Sequence, residues 1–255
     1  MAAILIYMIA GLGAGIGTGL AGLSAAAVIS PMLIAFLDFP AYEAVGIALA
    51  SDVLASAVSS YTYAKNKNID IKNGIIMMCA VLLFTVIGSF AASFIPDMAM
   101  GSFSIIACFL LGIKFIVRPV MTTKEARENR SAKRKCAEAL VCGSVIGSIC
   151  GFIGAGGGMM MLLMLTSVLG YELKTAVGTS VFIMTFSAFT GAASHFLIGG
   201  IPDLTALVVC ILATLVGARA SALFANKAES MVLNRVTGVV LAVLGAAMIV
   251  VKFLV

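Results

Sequence analysis

Apolar runs, most about one membrane crossing long, follow one another along nearly the whole chain. They cover residues 3–37, 42–64, 74–95, 98–117, 137–169, 173–198, 204–224 and 231–255. Between them lie short turn-forming clusters: Asp38-Phe39-Pro40, Lys65 to Lys72, Pro96-Asp97, Arg118-Pro119 and Gly199 to Asp203. Since ~20 apolar residues span a bilayer as a helix, the pattern predicts an all-α polytopic integral membrane protein of eight apolar segments.

Two runs break the pattern. The first and the fifth each exceed 30 residues, too long for one straight span and short for two. Both are interrupted by glycine. Cys150 to Met161 holds Gly151, Gly154, Gly156, Gly157 and Gly158, and a weaker copy is Gly19-Leu-Ala-Gly22-Leu-Ser24-Ala-Ala-Ala27. Glycine costs roughly 1 kcal/mol against alanine inside a helix. The expectation is a glycine-broken first segment in each half, made of two half-helices that turn back.

The copies are part of a repeat. Ala44-Val45-Gly46 recurs 132 residues later as Ala176-Val177-Gly178, and Gly11, Gly15, Gly19 and Gly22 match Gly143, Gly147, Gly151 and Gly154 at the same spacing. Ile69 matches Ile201, while Gly88 and Gly217 align at 129, which places a small gap between. Residues 1–118 form a first transmembrane repeat, 119–135 a basic linker and 136–255 a second repeat.

Charge orients the halves. Lys65, Lys67 and Lys72 follow the second run, whereas the loop after the sixth has no Lys or Arg. Arg219, Lys227 and Arg235 cluster around the seventh-to-eighth turn, and the third-to-fourth turn has none. Basic residues favour the cytoplasmic side. Two inverted repeats put nearly all of them there, with Lys252 the exception. That arrangement makes the linker, with Lys124, Arg127, Arg130, Lys133, Arg134 and Lys135, cytoplasmic, and places both termini outside.

Composition narrows the class. Apolar residues make up 62% and charged ones 11%, against about half and a quarter in soluble domains. The expected setting is a multi-pass protein of the cell membrane with the lipid bilayer as partner and no nucleic acid; a homo-oligomer is left open. Met1 to Ile9 has no Lys or Arg and does not read as a secretory signal. The six cysteines include no CxxC pair, and His195 is the only histidine, so no metal site, no disulfide framework and no cofactor is expected.

Candidate chemistry follows from the breaks. A broken helix exposes N–H groups without intrahelical partners, at an end bearing about half a positive charge. Two such breaks from inverted halves suit a small anion. Gly22, Ser24, Gly154, Gly156, Gly157 and Gly158 are the backbone candidates, and the Gly11/15/19 and Gly143/147/151 ladders read as close helix packing. Thr179 and Ser180 could donate to an oxyanion or bond back to their own helix. Asp52, inside the second run with Ser51 beside it, is the candidate for proton coupling. His195 reads as titratable or as an interfacial residue, and Arg219 as an anion contact at the inner mouth or a snorkelling side chain. Gly154 to Gly158 lacks the Gly-Lys-Ser/Thr end of a P-loop. Transport would therefore be ion-coupled rather than ATP-driven, and the chain is not expected to be an enzyme.

The long glycine-rich first run, its repeat as Gly151-Phe-Ile-Gly154-Ala-Gly-Gly-Gly158, and Ala176-Val-Gly-Thr-Ser180 in a duplicated layout resemble the sulfite exporter TauE/SafE family. The first half departs from the pattern, with Ser24-Ala-Ala for the glycine triplet and Ile47-Ala48 for Thr-Ser. The resemblance implies a secondary transporter of sulfite, thiosulfate, sulfoacetate or another small organic anion. Two rivals remain at this stage: a cation transporter or channel using Asp52, and an intramembrane hydrolase with Ser24 as nucleophile and His195 as base.

Overall fold

The computed structural model describes residues 2–92, 109–110, 112–119, 132–153 and 157–254. Its elements are α1 (Ala2–Ala21), α2 (Ala26–Leu37), α3 (Ala41–Lys65), α4 (Ile71–Ala92), α5 (Ala132–Ile153) and α6 (Gly157–Leu163). After α6 come a π-helical turn (Met164–Val168), α7 (Leu173–Gly199), α8 (Leu204–Lys227) and α9 (Ser230–Leu254). Residues 109–110 and 112–117 are also helical, and no strand occurs among the described residues. α1, α3, α7, α8 and α9 are long and apolar enough to cross a membrane. Much of the expected fourth segment and of the basic linker lies outside the described residues.

The first run breaks where glycine allows it. Gly22 takes a left-handed φ of +62°, and its N–H donates to Thr18 O at 2.9 Å, which ends α1. Thr18 Oγ1 then donates to Leu23 O at 2.7 Å and fastens the turn. The chain doubles back: Gly13 faces Val28, Gly17 faces Leu23, and the Tyr7 and Phe39 rings meet edge-on at 6.2 Å. The arms are unequal, however. α1 has 20 residues, a full span, and α2 has 12, about 18 Å and too short to cross. The expected pair of half-helices is a long helix with a short return arm.

Helix packing follows the glycine spacing. A methyl on Gly11 would meet Cys210 O at 2.9 Å and Ala213, and one on Gly143 would meet Met77 O at 2.8 Å and Ala80. One turn on, Gly15 presses on Thr214 O and Gly147 on Val81 O. Both ladders therefore serve close helix packing, α1 along α8 and α5 along α4, with residue numbers rising together in each pair. The equivalent pairs Met77/Cys210 and Val81/Thr214 lie 133 apart, not 129. Phe84, packed on Gly147, takes the place paired with Gly217, packed on Gly15. The cause is one extra residue at the end of α7, between His195 and Gly200. Left-handed Asp38 and Gly170 still match at 132, but Lys67 and Gly200 match at 133. The helix caps agree: Asp70 Oδ1 accepts Asn73 N–H at 3.1 Å and Asp203 Oδ1 accepts Ala206 N–H at 2.8 Å.

At the centre α3 and α7 cross reciprocally. Gly46 lies against His195 and Phe196, and its counterpart Gly178 lies against Tyr63, the counterpart of His195. Rising numbers on one helix meet falling numbers on the other, so the two run antiparallel. Gly112 on Ala242 and Gly245 on Phe109 repeat that relation between the 109–117 stretch and α9.

The two ends differ in charge. Asn68 Nδ2 donates to Asn226 Oδ1 at 2.7 Å and Lys174 Nζ to Asn226 O at 3.2 Å. These bonds gather Lys65, Lys67, Lys72, Lys174 and Lys227 at one end. At the other end, Asp203 N–H donates to Glu43 Oε1 at 2.8 Å, and Asp38 lies close by in sequence.

Candidate functional site: the junction of the glycine breaks

The break between α1 and α2 interrupts the helical ladder, so its backbone groups can be followed one by one. The last carbonyls of α1 are satisfied from elsewhere: Gly19 O accepts the Tyr63 hydroxyl at 2.8 Å, and Leu20 O faces Thr237 Oγ1 at 3.4 Å. On the N-terminal side of α2, Ser24 Oγ accepts Ala26 N–H at 3.4 Å, a weak cap. Among the described residues the Ser24 N–H has no acceptor.

The second glycine cluster arrives at this point. Gly158 packs directly on Gly22 O, and a methyl there would also meet Met184 Sδ at 2.8 Å and Ser24 N at 3.0 Å. Only glycine permits that approach. Gly158 is buried and Gly157 half-buried beside it. Gly154 and Gly156 lie outside the described residues.

Asp52 reaches the same junction from α3. It is 1% exposed, an expensive place for a carboxylate in a membrane helix. Ser24 Oγ donates to its Oδ2 at 2.8 Å and Ser56 Oγ to its Oδ1 at 3.0 Å, and the backbone of Ala25 hydrogen-bonds it as well. Ser51, by contrast, bonds back to Ile47 O at 2.9 Å.

The Thr179–Ser180 pair splits between two directions. Ser180 is fully buried with its hydroxyl against Gly22, 3.5 Å from the carbonyl oxygen. Thr179 points the other way, and its Oγ1 accepts Asp70 N–H at 3.1 Å. Asp70 in turn accepts the Tyr171 hydroxyl at 2.9 Å. Thr179 thus ties α7 to the start of α4 at the basic end.

His195 and Arg219 are not brought to the junction. The His195 ring stacks on Tyr42 with centroids 4.1 Å apart, and its Nδ1 lies 3.0 Å from Tyr42 O. Tyr42 and Asp52 are separated by about 15 Å of helix, so the Ser24 and His195 side chains of the hydrolase reading are engaged at different levels. Arg219 is exposed on α8, next to Ala218 and one turn from Ala222, which face α1.

Several contributors were not singled out from the sequence. Ser56 stands four residues after Asp52, a spacing that places both on one helix face. Met184 is the repeat counterpart of Asp52, at 132. Thr18 and Tyr63 hold the break closed on its α1 side, and nothing in their spacing indicates it. Among the described residues no cluster of His, Cys, Asp and Glu could hold a metal ion.

Comparison with known proteins agrees with this architecture. The model of the family described as Sulfite exporter TauE/SafE matches residues 7–248. The Probable membrane transporter protein YunE of Bacillus subtilis (strain 168) is 25% identical over 264 residues, covering 96% of this chain and 96% of its own. The Probable membrane transporter protein YdhB of the same strain is 25% identical over 220 residues, 86% and 89% of the two chains. The Probable membrane transporter protein MJ0441 of Methanocaldococcus jannaschii is 26% identical over 197 residues, 74% and 71%. The chain, a multi-pass helical membrane protein, belongs to the sulfite exporter TauE/SafE family.

Proposed function

We propose that the protein is a secondary transporter that carries a small anion, sulfite or a related sulfur-containing or organic anion, across the cell membrane. One observation carries the reading: Gly158 of the second glycine cluster lies directly on Gly22 and Ser24 of the first break. The second glycine cluster meets the first break in a buried place where backbone amides and the start of α2 can face a ligand. The family description and the three relatives named as membrane transporters support it.

In this reading Gly22, Ser24, Gly154, Gly156, Gly157 and Gly158 form the cradle and Ser180 adds a hydroxyl. Thr179 braces the cradle through Asp70, and Asp52 carries the coupling proton. The halves are inverted. The antiparallel, reciprocal crossing of α3 and α7 supports this, because a two-fold axis that relates antiparallel helices lies across them, in the plane of the membrane. The end bearing Lys65, Lys67, Lys72, Lys174 and Lys227 is the cytoplasmic one, and the linker lies on that side. His195, with Asp38, Glu43 and Asp203, faces outside.

The buried Asp52 favours one other reading, a cation as cargo with the carboxylate as its ligand. Flux through proteoliposomes separates the two. The protein should move radiolabelled sulfite or thiosulfate in a saturable manner and leave sodium and potassium gradients intact. Cation flux without anion flux would replace this proposal with the second reading.

A further inference from the structure

Asp52 and the cradle share atoms. Ser24 and Ala25 open α2, at the end of a helix where the local potential is positive. The Asp52 carboxylate accepts hydrogen bonds from the Ser24 hydroxyl and from the Ala25 backbone at this spot. A negative group of the protein's own chain therefore rests where a small ligand anion would be held. It does so in one half only, because the repeat counterparts of Asp52, Ser24 and Ser56 are Met184, Gly156 and Ala188. The groups facing the carboxylate are Ser24 and Ala25 from the break and Ser56 from α3 itself. Among the described residues α7 and α8 contribute no buried charged side chain.

We propose that Asp52 is a tethered competitor of the transported anion, the two sharing the Ser24 hydroxyl and the start of α2, so that the anion enters when a proton neutralises Asp52. This rests on reading the junction as an anion site. The chemistry balances simply. Ser24 has one hydroxyl proton to donate, and donated to Asp52 it is not available to a ligand. A proton taken up by Asp52 removes the negative charge that repels the anion and gives the carboxyl group its own O–H to donate. Ser24 Oγ–H is then free to turn to the anion. Proton and anion occupy the junction together and leave together, which is symport. No bond other than O–H is made or broken.

The test is equilibrium binding of thiosulfate, with sulfoacetate in parallel, to the purified full-length protein across the neutral pH range, where the charge of both ions is constant. Wild-type affinity should rise as pH falls. Asp52→Asn should bind roughly tenfold or more tightly than wild type at neutral pH, since a repelling charge a few ångströms away is gone, and its affinity should no longer depend on pH. Ser24→Ala should weaken binding. Asp52→Ser carries the same expectation as Asp52→Asn if the latter does not fold. A folded Asp52 variant that binds no more tightly than wild type, while wild type binds, overturns the competitor and leaves the anion site standing. Absence of binding by wild type and every variant at every pH overturns the anion site and the competitor with it.

Discussion

Gly158 lies on the carbonyl of Gly22, with no room for a side chain between them. The contact joins the second glycine cluster to the turn between α1 and α2, so under the proposed function the anion cradle depends on both parts of the chain.

Gly158→Ala should therefore act as a wedge. Forcing a methyl into a packed site costs about 1–3 kcal/mol, and here it pushes against backbone that cannot rotate away. Transport should be lost or cut severely while the protein still inserts into the membrane. Flux in proteoliposomes, with membrane fractionation as the control, checks both halves of the expectation.

Gly15→Ala should fail differently. Its methyl would strike Thr214 O on α8, a contact in which none of Ser24, Asp52 and Gly158 takes part. The expected effect is lost stability of about 1–3 kcal/mol, read as a lower unfolding temperature in detergent. Anion affinity of the folded fraction should be unchanged.

Tyr63→Phe removes the hydroxyl that satisfies Gly19 O. The carbonyl is buried, so the loss should cost about 1–3 kcal/mol. If the break must stay rigid to hold its ligand, affinity for the anion falls as well. Unfolding curves and binding titrations on the same preparation separate the two effects.

Single-cysteine labelling tests the orientation. With the reactive native cysteines replaced, Lys67→Cys should react with a membrane-impermeant maleimide from the cytoplasmic side. Asp38→Cys should react from the opposite side. Labelling of both from one side would contradict the inverted arrangement.

The sequence was informative about what repeats and silent about what touches. The glycine spacing marks the break between α1 and α2, where Gly22 takes a left-handed φ, because a glycine leaves its mark wherever it stands. Beyond the sixth segment glycine matching sets Gly88 against Gly217, whereas the ladder contacts put Phe84 in that place. One extra residue at a helix end has no hydrophobic signature, and only the caps at Asp70 and Asp203 and the ladder contacts reveal it. Asp52 was legible as an ionisable residue in an apolar run, but its bond to Ser24 joins residues 28 apart through a hairpin, which no period in the chain encodes. Thr179 and Ser180 looked alike as neighbours. A helix turns about 100° per residue, so they face opposite partners.

Under the proposed function a small anion crosses through the junction of Gly22, Ser24 and Gly158. The most direct measurement is efflux of radiolabelled sulfite from proteoliposomes containing wild-type protein or Gly158→Ala, both at matched protein density. Efflux should be saturable from wild type and little above empty liposomes from the variant. Equal efflux from both would contradict the proposal, because the anion would then be crossing somewhere other than this junction.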